Sequence, residues 1–304
     1  MQVSTSLSVT LVVLALLSSA GVLQAGDPVV LAPGKGSLIV YGGSLSADHF
    51  YDINGDLRRF DTNVTRFSAV LFGTTFRYGL ATDLELNVEL PLAYLSLTSK
   101  KRFPDRSIFA PSYVGIGGTY QLIRGDIFNA SGDAMLKIPP GFHRGIYDDP
   151  NHPSFLSDGF FQATAGANVS LWTEPILLKG RAAYNWRDEE PVDEFQFSLS
   201  GILTRVEGTG IHVGFDGVIP LADVTQPLLP FYSGASGTPE QVSRIDGGTG
   251  RFATIDREFF IALNAGAYVN ITNSILVSGN YTIRLGGKNS LALGGAFLAL
   301  GYSF

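Results

Sequence analysis

The chain has 304 residues, 27 of them acidic and 21 basic, for a net charge of −6, and only 16% of its residues are charged. It contains no cysteine, which excludes a disulfide framework, a cysteine-ligated metal and a lipidated N-terminal cysteine. An acidic chain without a basic run is also a poor partner for nucleic acid.

Residues 1–25 read as a secretory signal. Leu7 to Leu23 is apolar, interrupted by Ser18, Ser19 and Gly21, and a small residue, Ala25, ends the stretch. The leading MQVSTSLSV departs from the usual pattern in having no Lys or Arg. The leader is uncharged, so the whole net charge falls on residues 26–304, which read as one outer-membrane domain. No later segment is a continuous apolar run long enough for a membrane helix. Apolar residues instead alternate with small and polar ones, as expected of a wall with lipid on one side and water on the other.

Read with period two, the remainder gives about twelve segments. The first, about 36–47, puts Ile39, Tyr41, Gly43 and Leu45 on one face. The second, about 62–79, has mixed faces. The third, 82–98, carries Leu84, Leu86, Val88, Leu90, Leu92 and Tyr94 against Glu85, Asn87 and Glu89, a separation that helical spacing would scatter. The fourth, 109–123, offers Val114, Ile116, Gly118, Tyr120 and Leu122. The fifth, 126–139, sets Phe128, Ala134 and Leu136 against Asp133 and Lys137. The sixth, 159–172, alternates Ala163, Ala165, Ala167 and Val169 with Thr164 and Asn168. The seventh, 175–187, sets Ile176, Leu178, Tyr184 and Trp186 against Lys179, Arg181, Asn185 and Arg187. The eighth is about 195–206. The ninth, about 210–221, has Ile211, Val213 and Phe215 opposite His212 and Asp216. The tenth is about 257–270, the eleventh 274–285 with Arg284 on its polar face, and the last about 290–304.

Connections after odd-numbered segments are long: 48–61, 99–108, 140–158, 188–194, 222–256, with 286–289 the shortest. Those after even-numbered segments are turns at 80–81, 124–125, 173–174, 207–208 and 271–272. Such barrels have short periplasmic turns and longer outer loops, so this rhythm puts both chain ends in the periplasm and requires an even strand number. A secreted sandwich or jelly roll would also alternate, but its strands average about 5–6 residues, and several here run past ten. The expected fold is all-β: a transmembrane antiparallel up-and-down β-barrel of about 12 strands in the bacterial outer membrane. Tyr302 and Phe304 end the chain on one face and resemble the terminal signal of outer-membrane proteins. The usual glycine five residues before the end is Ala299 here.

Arg77-Tyr78-Gly79, Asp83, Leu84-Glu85-Leu86 and Leu90-Pro91 resemble the signature hairpin of the barrel family named for the meta-cleavage pathway of phenol degradation. The resemblance implies passage of aromatic or other hydrophobic compounds through the outer membrane.

Twelve strands fall between barrels filled by side chains and wide porins. The expectation is therefore a narrow pore, or one closed by a loop, with 222–256 as the candidate gate. The candidate lumen-lining residues are Glu85, Asn87, Glu89, Asp133, Lys137, Lys179, Arg181, His212, Asp216, Glu258 and Arg284. Glu85 and Glu89 on one strand and Lys179 and Arg181 on another are expected to share a level. Together these charges either set a transverse field along a solute path or form a network that holds the wall. The apolar Leu291, Leu293 and Phe297, expected inward on the last strand, either line a hydrophobic route or pack against an inserted loop. A closed structural barrel is the alternative. A lipid-modifying enzyme is a weaker one, because His152 and Ser154 do not form the strand-borne His-x-Ser of outer-membrane phospholipase A. The sequence offers no catalytic set, cofactor motif or metal site beyond the acidic loop residues Asp148, Asp149 and Asp158. The expected partners are outer-membrane lipid and lipopolysaccharide, the barrel-assembly machinery through the C-terminal strand, and a small solute.

Overall fold

A computed structural model describes residues 29–52, 54–59, 64–99, 106–139, 161–187, 193–204, 208–221, 259–288 and 290–304. In chain order its strands are β1 (Gly36–Ala47), β2 (His49–Tyr51), β3 (Leu57–Arg59), β4 (Val64–Ala81), β5 (Leu84–Ser99), β6 (Arg106–Pro111), β7 (Val114–Arg124), β8 (Phe128–Ile138), β9 (Gln162–Thr173), β10 (Ile176–Arg187), β11 (Glu194–Leu203), β12 (Thr209–Pro220), β13 (Phe259–Asn270), β14 (Ile275–Lys288), β15 (Ser290–Leu291) and β16 (Gly294–Ser303). Every pairing is antiparallel, and each barrel strand lies beside its sequence neighbours. β1 pairs with both β4 and β16, and β4 with β5, so the sheet closes on itself. With β6 and β7 as two halves of one strand, the barrel has 12 strands.

Closure satisfies the backbone, which is what a span through hydrocarbon requires. The alternation then sorts the side chains. On β5, Leu90 is 40% exposed while Glu89 beside it is 2% exposed. Leu38, Phe72, Ile116, Val169, Leu178, Ile211, Val277 and Leu298 continue the outward apolar set around the wall. A contiguous apolar belt of this kind on the outside of a closed barrel is a lipid-facing surface. The connections at 82–83, 125–127, 174–175 and 271–274 are short. At that same end the chain termini join: the Gly36 amide donates to the Phe304 carbonyl at 2.9 Å, and Phe304 returns the bond at 3.0 Å.

The structure corrects the sequence reading in four places. The fourth segment is not one strand. Between the pairs Glu89↔Gly115 and Leu92↔Pro111, two residues of β5 (Leu90, Pro91) face three on the other strand (Ser112, Tyr113, Val114), which is a bulge. Pro91 and Pro111 sit at this point, and neither has an N–H to give the ladder. The last barrel strand begins at Gly294, not at 290, because β15 leaves the wall to pair with β2. The link 48–61 is not plain loop: β2, β3 and β15 form a second, three-stranded sheet. Glu194, assigned to a link, opens β11. The mixed second segment also gains a phase: Phe67, Ala69, Leu71, Gly73, Thr75 and Arg77 of β4 turn inward, opposite exposed Phe72.

Candidate functional site

The barrel interior collects polar side chains because each strand must send every second residue away from lipid. Glu85 is 1% exposed. It accepts a two-pronged bond from Arg77, Nε at 2.6 Å and Nη2 at 2.8 Å, across the β4–β5 hairpin. Asn87 donates to Thr119 at 2.9 Å. Glu89 accepts from the Tyr113 hydroxyl at 3.1 Å, and the Lys137 ammonium stands 5.1 Å from the centre of the Tyr113 ring. Asp133 takes Arg181 Nη2 at 2.8 Å on one oxygen and Asn168 Nδ2 at 2.6 Å on the other. Lys179 is buried nearby on β10. On the other side, His212 meets Asn280 Oδ1 at 3.2 Å, and Asn264 donates to Asp216. Arg284 lies over the Phe260 ring at 3.9 Å.

Ten of the eleven sequence candidates thus lie among the described residues. Glu258, His143, His152, Ser154, the acidic group Asp148, Asp149 and Asp158, and the link 222–256 lie outside them. The charges expected to share a level, Glu85 and Glu89 with Lys179 and Arg181, have partners nearer at hand. Arg77 on the adjoining strand reaches Glu85, and Asp133 on β8 reaches Arg181. Sequence reasoning placed Arg187 on the polar face of its strand but passed over Arg77, Tyr113, Gln121 and Glu194, the partner of Arg187 at 2.5 Å. Period two carried forward from Thr75, and back from Ser198 through Gln196, would have marked Arg77 and Glu194 as inward.

Two features restrict the interior. At the short-turn end, residues 29–35 run along its inner face. The Val30 amide donates to Gln121 Oε1 at 2.8 Å, the Leu31 amide to Glu85 at 3.0 Å, and Arg77 to the Val29 carbonyl at 3.2 Å. Val30 and Leu31 are buried, and so, at the same end, is the apolar group Leu177, Ile202, Tyr268 and Leu276. At the long-loop end, Phe50 of β2 enters an apolar cluster with Ala47, Phe67, Ala69 and Leu291, flanked by Leu45, Leu71 and Leu293. Leu291 and Leu293 therefore pack against an inserted segment.

Tyr302 and Phe304 face outward. Phe304 stacks on Tyr302 at 5.9 Å and on Phe76 of β4 at 6.5 Å, and Phe76 stacks on Tyr78 at 6.4 Å. Rings of this kind favour the lipid–water boundary.

No family profile matches the chain, and no curated protein matches it. Among solved structures it is similar to the COG4313 outer membrane channel from Pseudomonas putida F1, with 15% identity and a TM-score of 0.65 over 92% of this chain and 99% of that one. The KdgM porin aligns at a TM-score of 0.47 with 8% identity over 88% of this chain and 99% of that one. The NanC porin aligns at 0.48 with 10% identity over 88% and 98%. At that level these two carry no argument. The likeness to the first, together with the closed sheet and its apolar exterior, places the chain among the β-barrels of the bacterial outer membrane.

Proposed function

We propose that the chain is an outer-membrane channel or transporter for small solutes, in a state narrowed at both ends. The observation that carries this reading is the charged interior: Arg77, Glu85, Glu89, Asp133, Lys137, Lys179, Arg181, Arg187, Glu194, Asp216 and Arg284 all turn inward. A buried ion pair seldom stabilises more than well-packed apolar residues of the same volume. A barrel filled merely for stability has no need of so many, whereas a path that must take up water or solute does. The solved structure of similar fold is described as an outer membrane channel. The family resemblance of the Arg77 to Pro91 hairpin supports aromatic or hydrophobic compounds as the solute class. In this reading residues 1–25 are removed as a leader and 26–304 form the mature barrel. The exterior meets lipid and lipopolysaccharide, and the strand ending in Tyr302 and Phe304 is offered to the barrel-assembly machinery.

Conductance of the refolded mature chain in a planar bilayer tests this. Discrete steps are expected. They should grow when residues 26–33 are deleted, because the strap on Glu85 and Gln121 then leaves the short-turn end. Lys179→Gln should shift ion preference toward cations without preventing insertion. Silence from both the full and the shortened chain would overturn the channel. A second reading, a closed structural barrel, is favoured by the burial of the interior polar groups, with Glu85, Asn87 and Glu89 each at 2% exposure or less. It expects that silence, together with a lower unfolding temperature for Lys179→Gln.

A further inference from the structure

The outer face of the wall is not uniform at the long-loop end. Trp186, Ile219 and Leu285 stand ten residues after Ile176, Thr209 and Ile275, the first residues of β10, β12 and β14 at the short-turn end. All three are exposed and apolar. At about the same height, ten residues after Gly36, β1 instead carries Ser46. Ser46 lies opposite Ser68 of β4, and Ser68 opposite Ser96 of β5, so three outward hydroxyls form one row. Neighbouring strands stand about 4.8 Å apart, so the row is about 10 Å long.

The groups above and below the row complete a gradient. One pleat nearer the short-turn end, the row through Ser44 and Val70 reaches Tyr94 and Phe109, whose rings are exposed to the outside. Outward aromatic rings mark the boundary between lipid and water. One pleat toward the long-loop end of β4 is Arg66, exposed, whose Nη2 donates to Ser46 Oγ at 3.4 Å. Asp48, two residues past Ser46, is bonded to His49 Nδ1 at 2.7 Å. In the sequence the segments that bound these strand ends add Lys100, Lys101, Arg102 and Arg106 against Asp61 and Asp105, so positive charge is in excess.

We propose that Arg66, Ser46, Ser68 and Ser96 form a docking site on the outer wall for the phosphorylated glucosamine headgroup of lipopolysaccharide. A polar row at a height where the rest of the wall is apolar needs polar partners from the membrane, because an unpaired hydroxyl in hydrocarbon is costly. A sugar headgroup supplies hydroxyls to the serines, and its phosphate supplies the anion that a guanidinium grips in a two-pronged bond. The acyl chains then run down past Tyr94 and Phe109. The short turns face the periplasm in such barrels, so the site lies in the outer leaflet, where this lipid is found. The inference gives the lipopolysaccharide contact proposed above a place on the wall. It rests on the outer-membrane position of the barrel and not on conduction.

Bisphosphorylated lipid A serves as the probe, titrated into the refolded barrel in uncharged detergent with the unfolding temperature as readout. It should raise that temperature for the parent. Lipid A stripped of its phosphates, and phosphatidylglycerol, should raise it far less. Arg66→Gln should weaken the apparent affinity for lipid A about tenfold, the loss of one charge-assisted hydrogen bond. Arg66→Lys should keep part of it, and Ser46→Ala with Ser68→Ala should weaken it too. Arg124→Gln, which removes an exposed arginine at the short-turn end, should leave the lipid A response as it is. Equal affinity in the parent and Arg66→Gln would overturn the site. An equal response to phosphatidylglycerol would overturn it as well, by showing a surface for any anionic lipid. Conductance without selective lipid A binding would discard the site and leave the channel. Selective binding by a silent barrel would do the reverse.

Discussion

At Asp133 two donors converge on one carboxylate whose side chain has no exposed surface, and Arg181 opposite it is 8% exposed. Removing one partner of such a pair strands the other charge. Asp133→Ala should therefore lower stability by about 3–5 kcal/mol, read from urea unfolding of the refolded barrel. Adding Arg181→Met should recover part of the loss, because the stranded charge goes with it. Asp52 behaves differently, since it lies in the outer hairpin. Burial pushes its carboxyl up, but the amides of Asp56 and Asn54 and the Arg58 guanidinium more than offset this and hold it below the ordinary carboxylate value. A depressed carboxylate contributes stability that is present above its unfolded value and lost as pH falls through the folded one. The hairpin tip should thus hold its shape at neutral pH and loosen below the usual carboxylate range. A fluorine NMR probe placed at the hairpin tip should change environment only there, and Asp52→Asn should abolish the pH dependence.

Among the elements, the closing seam shows why the two ends of the chain have the residues they do. β1 lies between β4 and β16, yet Phe304 reaches across it to stack on Phe76. It can do so because Gly36 lies beneath the ring, and a Cβ there would run into Phe304. Aromatic pairs add about 0.5–1.5 kcal/mol beyond the area they bury. Gly36→Val should push the ring off Phe76 and lower the temperature at which the compact form disappears on an unheated gel. Phe304→Ala should do the same, and the two changes together should cost little more than either alone. Independent losses would show that the seam does not use this stack. The bulge at Ser112 and Tyr113 is a second element-scale device. By adding one residue it sends Tyr113 inward to Glu89, where an unbroken strand after outward Phe109 would have turned the ring to lipid.

For the molecule as a whole, the alternation of connection length sets the orientation. A tag inserted near Gly234 should be labelled on intact cells and one at Gly208 should not. The reverse result would mean that the short turns face outward. Residues 29–35 at one end and Phe50 at the other make the interior a chamber narrowed twice. Displacing only one of them should therefore raise conductance less than displacing both.

Period two in the sequence determined most of the wall. Leu84 to Tyr94 against Glu85 to Glu89 had no other solution, since one face meets hydrocarbon and every backbone group must pair within the sheet. The strand number followed from the same constraint. Which charges meet did not follow. Alternation fixes the side of the wall a residue is on, not its height against the neighbouring strands, and that height comes from register around a closed, tilted sheet. So Glu85 finds Arg77, and Arg181 finds Asp133 with β9 lying between their strands. The strap at 29–35 and the burial of Phe50 were also beyond the sequence. Neither has a periodic signal of its own, and each is held by groups distant in the chain: the Arg77 and Glu85 side chains for the strap, and the Arg284 carbonyl and Leu291 for the hairpin.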